Sequence, residues 1–179
     1  MAARLEVLDA RTAARLAGRM TTRTDTHTAT TEAFYVMQDL VRLHARYEQT
    51  GGGFFVMEVE VAPGGGPPPL HTHPAHEFFW TLSGRLTYFR DDGPDGLTEI
   101  SGGPGTSAFI PGGVSHTYRN FSDEPASYLG VLSPPQDMQD FLVEAGIAPG
   151  EEFRSPEAVL AIGARFGLVT LDVVPEPRG

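Results

Sequence analysis

The sequence predicts an all-β domain, a barrel or sandwich of short antiparallel strands, with a short N-terminal arm and two short C-terminal helices. Three observations point there. Strand-length runs with alternating apolar and polar residues recur between Ala33 and Leu132, Gly, Pro, Asp or Ser bounds nearly every one of them, and helical spacing is confined to the two ends. With 21 Gly and 15 Pro in 179 residues, tight turns are plentiful, and the length suits one packed core better than two.

Leu5, Leu8, Ala13 and Leu16 have loosely helical spacing up to about Met20, and the Thr-rich stretch from Thr21 to Thr31 is too polar for a core. Residues 1–32 therefore read as an arm or lid segment. From Ala33 the period becomes two: Val41, Leu43, Ala45 and Tyr47 alternate with Arg42, His44 and Arg46. Phe55, Met57, Val59 and Val61 then alternate with Glu58 and Glu60, which should face water, and the strand ends in the stiff run Pro63 to Pro69. Further strands are expected over His76–Leu82, Arg85–Arg90, Leu97–Ile100, Thr106–Ile110, Ser115–Phe121 and Ala126–Leu132. Ser83-Gly84 and the run Asp91 to Gly96 carry hairpin chemistry, so residues 33–133 are assigned to the barrel. Beyond Pro134-Pro135, Met138, Phe141, Leu142 and Ala145 mark one helix, and Val159, Ile162 and Phe166 a second. Residues 134–179 form a helical tail expected to pack on the barrel.

Charge and composition exclude several function classes. The formal net charge of -10 repels phosphate backbones, so no nucleic-acid partner is expected. There are no cysteines, which removes disulfides, thiolate metal sites and thiol nucleophiles together. The N-terminus lacks the apolar run of a secretory signal, and no stretch approaches the roughly 20 apolar residues of a membrane span. A cytoplasmic protein with no membrane partner is expected.

The chemistry concentrates in His71-Thr72-His73-Pro74-Ala75-His76-Glu77, with a further histidine at His116. Residues 71, 73 and 77 share parity, so an extended backbone would send their side chains to one side, subject to the interruption at Pro74. Imidazoles with one carboxylate make a mixed N/O donor set suited to one divalent ion of Fe, Mn, Ni, Co, Cu or Zn. His76 has the opposite parity, while His27 and His44 have no motif around them. Phe55, Met57, Phe79, Leu86, Tyr88 and Tyr118 share the inward face of their strands; singly each reads as core, together as an aromatic-tolerant cavity. Trp80 has outward parity and is expected to pack under a helix.

Two ordered sets of residues, Gly65, His71, His73, Glu77, Gly84 and then Gly105, Pro111, Gly113, His116, Asn120, resemble the paired motifs of the cupins. The resemblance covers roughly residues 50–132 and implies a single-domain cupin with a double-stranded β-helix, or jelly-roll, barrel. It further implies a metal held by His71, His73, Glu77 and His116. Gly84 and Gly113 should occupy turns at positive φ, and Pro111 should stiffen the start of the second motif. The run Gly64-Gly65-Gly66-Pro67-Pro68-Pro69 and the helical tail are similar to those of quercetinase-type cupins. That likeness implies a metal-dependent dioxygenase acting on a small aromatic, enol or polyketide-like substrate, with dioxygen as co-substrate. Glu77 would then double as a base, and Tyr118 or Asn120 would orient the substrate. Phe55, Met57, Phe79, Tyr88 and Asn120 are the expected substrate-binding residues, and a homodimer is the expected assembly. Two other readings stand beside this one: a non-redox polyketide cyclase or isomerase, and a ligand-binding cupin without turnover.

Overall fold

The computed structural model describes residues 32–67 and 69–176. The expected arm and connector, His27 included, lie outside the described residues except for Glu32. Eleven strands follow in order: β1 Ala33–Val36, β2 Asp39–Ala45, β3 Phe55–Val61, β4 His71–Thr72, β5 His76–Ser83, β6 Leu86–Asp91, β7 Leu97–Gly102, β8 Ser107–Ile110, β9 His116–Arg119, β10 Ala126–Ser133 and β11 Val169–Thr170. Two helices, α1 Gln136–Ala145 and α2 Pro156–Arg165, separate the last two strands.

The strands form two antiparallel sheets, one in the order β1-β2-β3-β10-β5-β8 and the other in the order β11-β4-β9-β6-β7. Alternation decides which residues enter the space between them. On β3, Phe55, Met57, Val59 and Val61 are buried, while Glu60 is exposed and Glu58 is half-buried between Arg42 and His44. On β2 the buried set is Asp39, Val41 and Leu43, an acid at the head of an apolar face. Gly84 and Gly113 adopt φ of 65° and 81°, the left-handed conformation expected of their turns.

The C-terminal segment contributes more than helices. β11 pairs with β4, placing Thr170 opposite His71, so the tail completes the second sheet beside the histidine block. α2 starts at Ser155, whose hydroxyl accepts from the Ala158 amide at 3.2 Å, with Pro156 as its first residue. Val159, Ile162 and Phe166 pack into the same apolar cluster as β2 and β3, so this stripe docks on its own barrel. Trp80 departs from expectation: it is 43% exposed, because both helices pack on the inward side of the sheets and leave the outer face of β5 open. No helix among the described residues is long and apolar enough to cross a membrane.

Candidate metal centre

The four expected ligands come from both sheets. His71 on β4 lies directly opposite His116 on β9, and Glu77 projects from β5 in the facing sheet. His73 sits in the link that carries the chain from one sheet to the other, its carbonyl accepting from the Gly113 amide at 2.8 Å. The meeting of residues 71, 73 and 77 is therefore a property of this crossing. β4 ends at Thr72 and β5 begins at His76, so no single strand's alternation unites them.

The donor atoms converge. One ring nitrogen from each of His71, His73 and His116 lies within 4.8 Å of the others. Glu77 Oε2 stands 3.3 Å from His73 Nε2 and 3.2 Å from His116 Nε2, which brings the carboxylate into the same cluster. His73, Glu77 and His116 are all buried, at 2%, 5% and 1% exposure.

The donor chemistry fits a cation. His116 Nδ1 lies 2.8 Å from the Val114 carbonyl, which only accepts, so the proton of the neutral ring belongs on Nδ1. Its Nε2 then offers a lone pair to a carboxylate oxygen, and a positive particle, a proton or a metal ion, is needed between them. His71 Nδ1 similarly faces the Pro69 carbonyl at 3.5 Å. Burial, followed by the charges of His116 and His73, pushes the His71 imidazole down to about 3, keeping it in the neutral form that ligates. Burial works to raise the Glu77 carboxyl, but hydrogen bonds from His116 and His73 outweigh it and hold the group at about 2.

A cavity of about 200 Å³ opens beside the cluster. His71, His73 and Glu77 form one part of its wall, and Met57, Phe79, Leu132, Met138 and Phe141 form much of the rest. Among the described residues, polar groups elsewhere on the wall are few, chiefly Asp39, Tyr118, Tyr128 and Thr170, and no Lys or Arg belongs to it. Of the expected substrate-binding residues, Met57 and Phe79 line this space, as does Tyr118.

Three others do not. Phe55, fully buried, and Tyr88, whose hydroxyl bonds Thr81 Oγ1 at 2.8 Å behind the Phe79 ring, belong to the packed core, as does Leu86. Asn120 is structural: its amide donates to the carbonyls of Val61, Ala62 and Glu124 at 3.1, 3.2 and 2.8 Å, and its oxygen accepts from Ser122. With those partners filled, it has nothing left to orient a substrate. His76 faces outward, accepting from the Gly112 amide at 2.9 Å, and His44 pairs with Glu58 at 3.0 Å.

Sequence reasoning missed Asp39, Tyr128 and the helix residues of the wall. For Asp39 the signal was present, since it shares parity with Val41 and Leu43 on a strand whose other face is polar. Burial, partly offset by the Tyr118 hydroxyl and the nearby Gly66 and Ala62 amides, pushes its carboxyl up to about 6. The native state then binds more protons than the unfolded chain between about pH 4 and 6, so this group's contribution to stability declines as pH rises through that window. Asp39→Asn is expected to match the wild type near pH 4 and exceed it by up to ~3 kcal/mol at pH 7. Urea unfolding across pH 4–8 checks this, and a difference independent of pH would refute it.

Fold and site together define a β-barrel protein with a candidate mononuclear metal centre. Residues 57–132 match the family model described as Cupin domain, and the barrel is a cupin barrel. Among solved structures, the chain is similar to the Mn(II)-containing oxalate decarboxylase of Bacillus subtilis, with 22% identity and a TM-score of 0.50 over 57% of this chain and 28% of that one. This chain thus spans little more than a quarter of that enzyme's length. It is also similar to a cupin-superfamily sugar phosphate isomerase from Silicibacter pomeroyi (24% identity, TM-score 0.46, 58% of this chain and 71% of that one). A third likeness is to a protein from Thermus thermophilus (26% identity, TM-score 0.42, 47% and 75%). No curated protein matches the chain.

Proposed function

We propose that the protein is a metal-dependent cupin enzyme acting on a small, largely apolar substrate that carries no charge beyond the group it presents to the metal, and that the reaction is a quercetinase-like dioxygenation of an enol, phenol or polyketide-like compound. One observation carries the reading: three imidazoles and a carboxylate converge at the wall of an apolar cavity whose lining, among the described residues, contains no Lys or Arg. A phosphorylated sugar or a dicarboxylate would leave a negative charge desolvated against Phe79, Leu132 and Phe141 without a partner. An aromatic or enolic molecule fits that lining.

His71, His73, Glu77 and His116 would hold the ion, one of Fe, Mn, Ni, Co, Cu or Zn. When bound, the ion supplies Lewis acidity toward a substrate oxygen and, if redox-active, an electron route to dioxygen. The chain does the rest. Met57, Phe79 and Phe141 exclude water from the bound substrate, and Tyr118 meets its polar substituents. The non-redox alternative, a cyclase or isomerase, uses the same wall and finds support in the buried Asp39 and Tyr118, groups suited to holding a proton.

Oxygen uptake separates the two. Protein reconstituted with each metal in turn is offered flavonols, enols and β-diketones, with and without oxygen. Dioxygenation predicts that substrate loss tracks oxygen consumption, stops under anaerobic conditions and fails with zinc. Equal turnover without oxygen, retained in the zinc form, would establish the alternative.

A further inference from the structure

We infer that Asp39 orders the hydrogen bonding of the cavity wall: it draws the phenolic proton of Tyr118 toward itself, so that this oxygen offers only lone pairs and the site selects ligands that donate a hydroxyl there. The inference rests on the proposed reading of the cavity as a substrate site, and it specifies that substrate as one bearing a hydroxyl donor away from the metal-binding group.

The two residues come from separate strands, Asp39 from β2 and Tyr118 from β9, and both line the cavity, as does Tyr128 from β10. Tyr118 Oη donates to Asp39 Oδ2 at 3.0 Å. The Tyr128 ring packs against Tyr118, their centroids 4.9 Å apart at a steep angle. A carboxylate has no proton to give, so the bond between Tyr118 and Asp39 has a single direction: Tyr118 donates. The phenol has one proton, and it is spent there.

Asp39 is costly to keep where it stands. It is 6% exposed and makes no ion pair among the described residues. Its second oxygen, Oδ1, is buried with no hydrogen-bond partner. That oxygen rests against Gly65, where an added Cβ would come within 2.8 Å of it, so no ligand reaches it from the cavity. A buried, half-satisfied acid on an otherwise apolar strand face does not help the fold, and an asparagine or leucine would be cheaper. What the carboxylate supplies is polarity, because near neutral pH it is the acceptor form that faces Tyr118. Asp39 is thus a positioning residue that acts through Tyr118 rather than by touching the ligand.

The discriminating measurement is the ratio of affinities for a hydroxyl compound and its methyl ether, since a purely structural role would move both together. Zinc-loaded protein is titrated by NMR and calorimetry with phenol against anisole and with 4′-hydroxyflavonol against 4′-methoxyflavonol. The wild type is expected to prefer the hydroxyl member at least about tenfold, beyond any difference in transfer from water. Tyr118→Phe and Asp39→Ala are expected to bring the ratio within about threefold, and Tyr118→Phe, which keeps the ring, covers the case in which Asp39→Ala does not fold. A wild-type ratio near one, or a ratio unchanged in both variants, overturns the inference while metal content and oxygen-dependent turnover stand. Failure of all four compounds to bind removes the cavity as a ligand site and overturns the inference together with the proposed substrate class.

Discussion

His73→Ala and Glu77→Ala each lower bound divalent metal from near one equivalent to about a tenth or less after equilibrium dialysis, while the barrel stays folded. Each change removes a donor atom from a buried cluster that has no spare ligand, since the remaining histidines among the described residues, His44 and His76, are engaged outside it with Glu58 and Gly112. Losing even an outer partner of a metal ligand costs 10–100-fold in affinity, and losing a ligand costs at least about 100-fold. Elemental analysis gives the stoichiometry, and circular dichroism tests the fold. A full equivalent of metal in either variant would remove that residue from the ligand set.

Phe55→Ala is expected to destabilise the protein by ~3–5 kcal/mol, a large share of the stability of a domain this size, without changing metal stoichiometry below the unfolding transition. The ring has no exposed surface and packs on β3 between β2 and β10, where its removal leaves a void the rigid sheets cannot close. It also lies off the cavity wall, so the metal donors keep their places. Urea unfolding at constant metal, with unchanged slope, measures the effect. A loss under about 1 kcal/mol would contradict its core position, and a parallel loss of metal would couple it to the site.

The contrast between Phe55 and Met57 shows where the sequence stops being informative. Both have the same parity on the same strand and both are buried, yet one packs in solid core and the other borders a space. Alternation distinguishes only the two faces of a sheet. Whether an inward residue meets other side chains or a void depends on what the opposite sheet and the helices bring to that level. Tyr88 fell on the core side for the same reason: Phe79 stands in front of it. Asn120 shows a related blindness, since its residue type and inward parity suited substrate contact, while two of the three carbonyls that occupy its amide, those of Val61 and Ala62, come from the end of β3 nearly sixty residues away.

Strand positions and the turns at Gly84 and Gly113 were legible because each is local: a period of two, and a backbone angle only glycine adopts without strain; the four candidate ligands were named from the resemblance of two separate motifs. Tertiary structure alone decided how the candidate ligands meet, by crossing the chain between sheets at His73, and which side chains surround them. It also placed Asp39 against Tyr118, 79 residues along the chain, and turned the tail into part of the second sheet and the cavity wall. The physical reason is that a cavity, unlike a strand, is defined by what several distant segments leave unfilled between them, and no pattern within any one segment encodes that space.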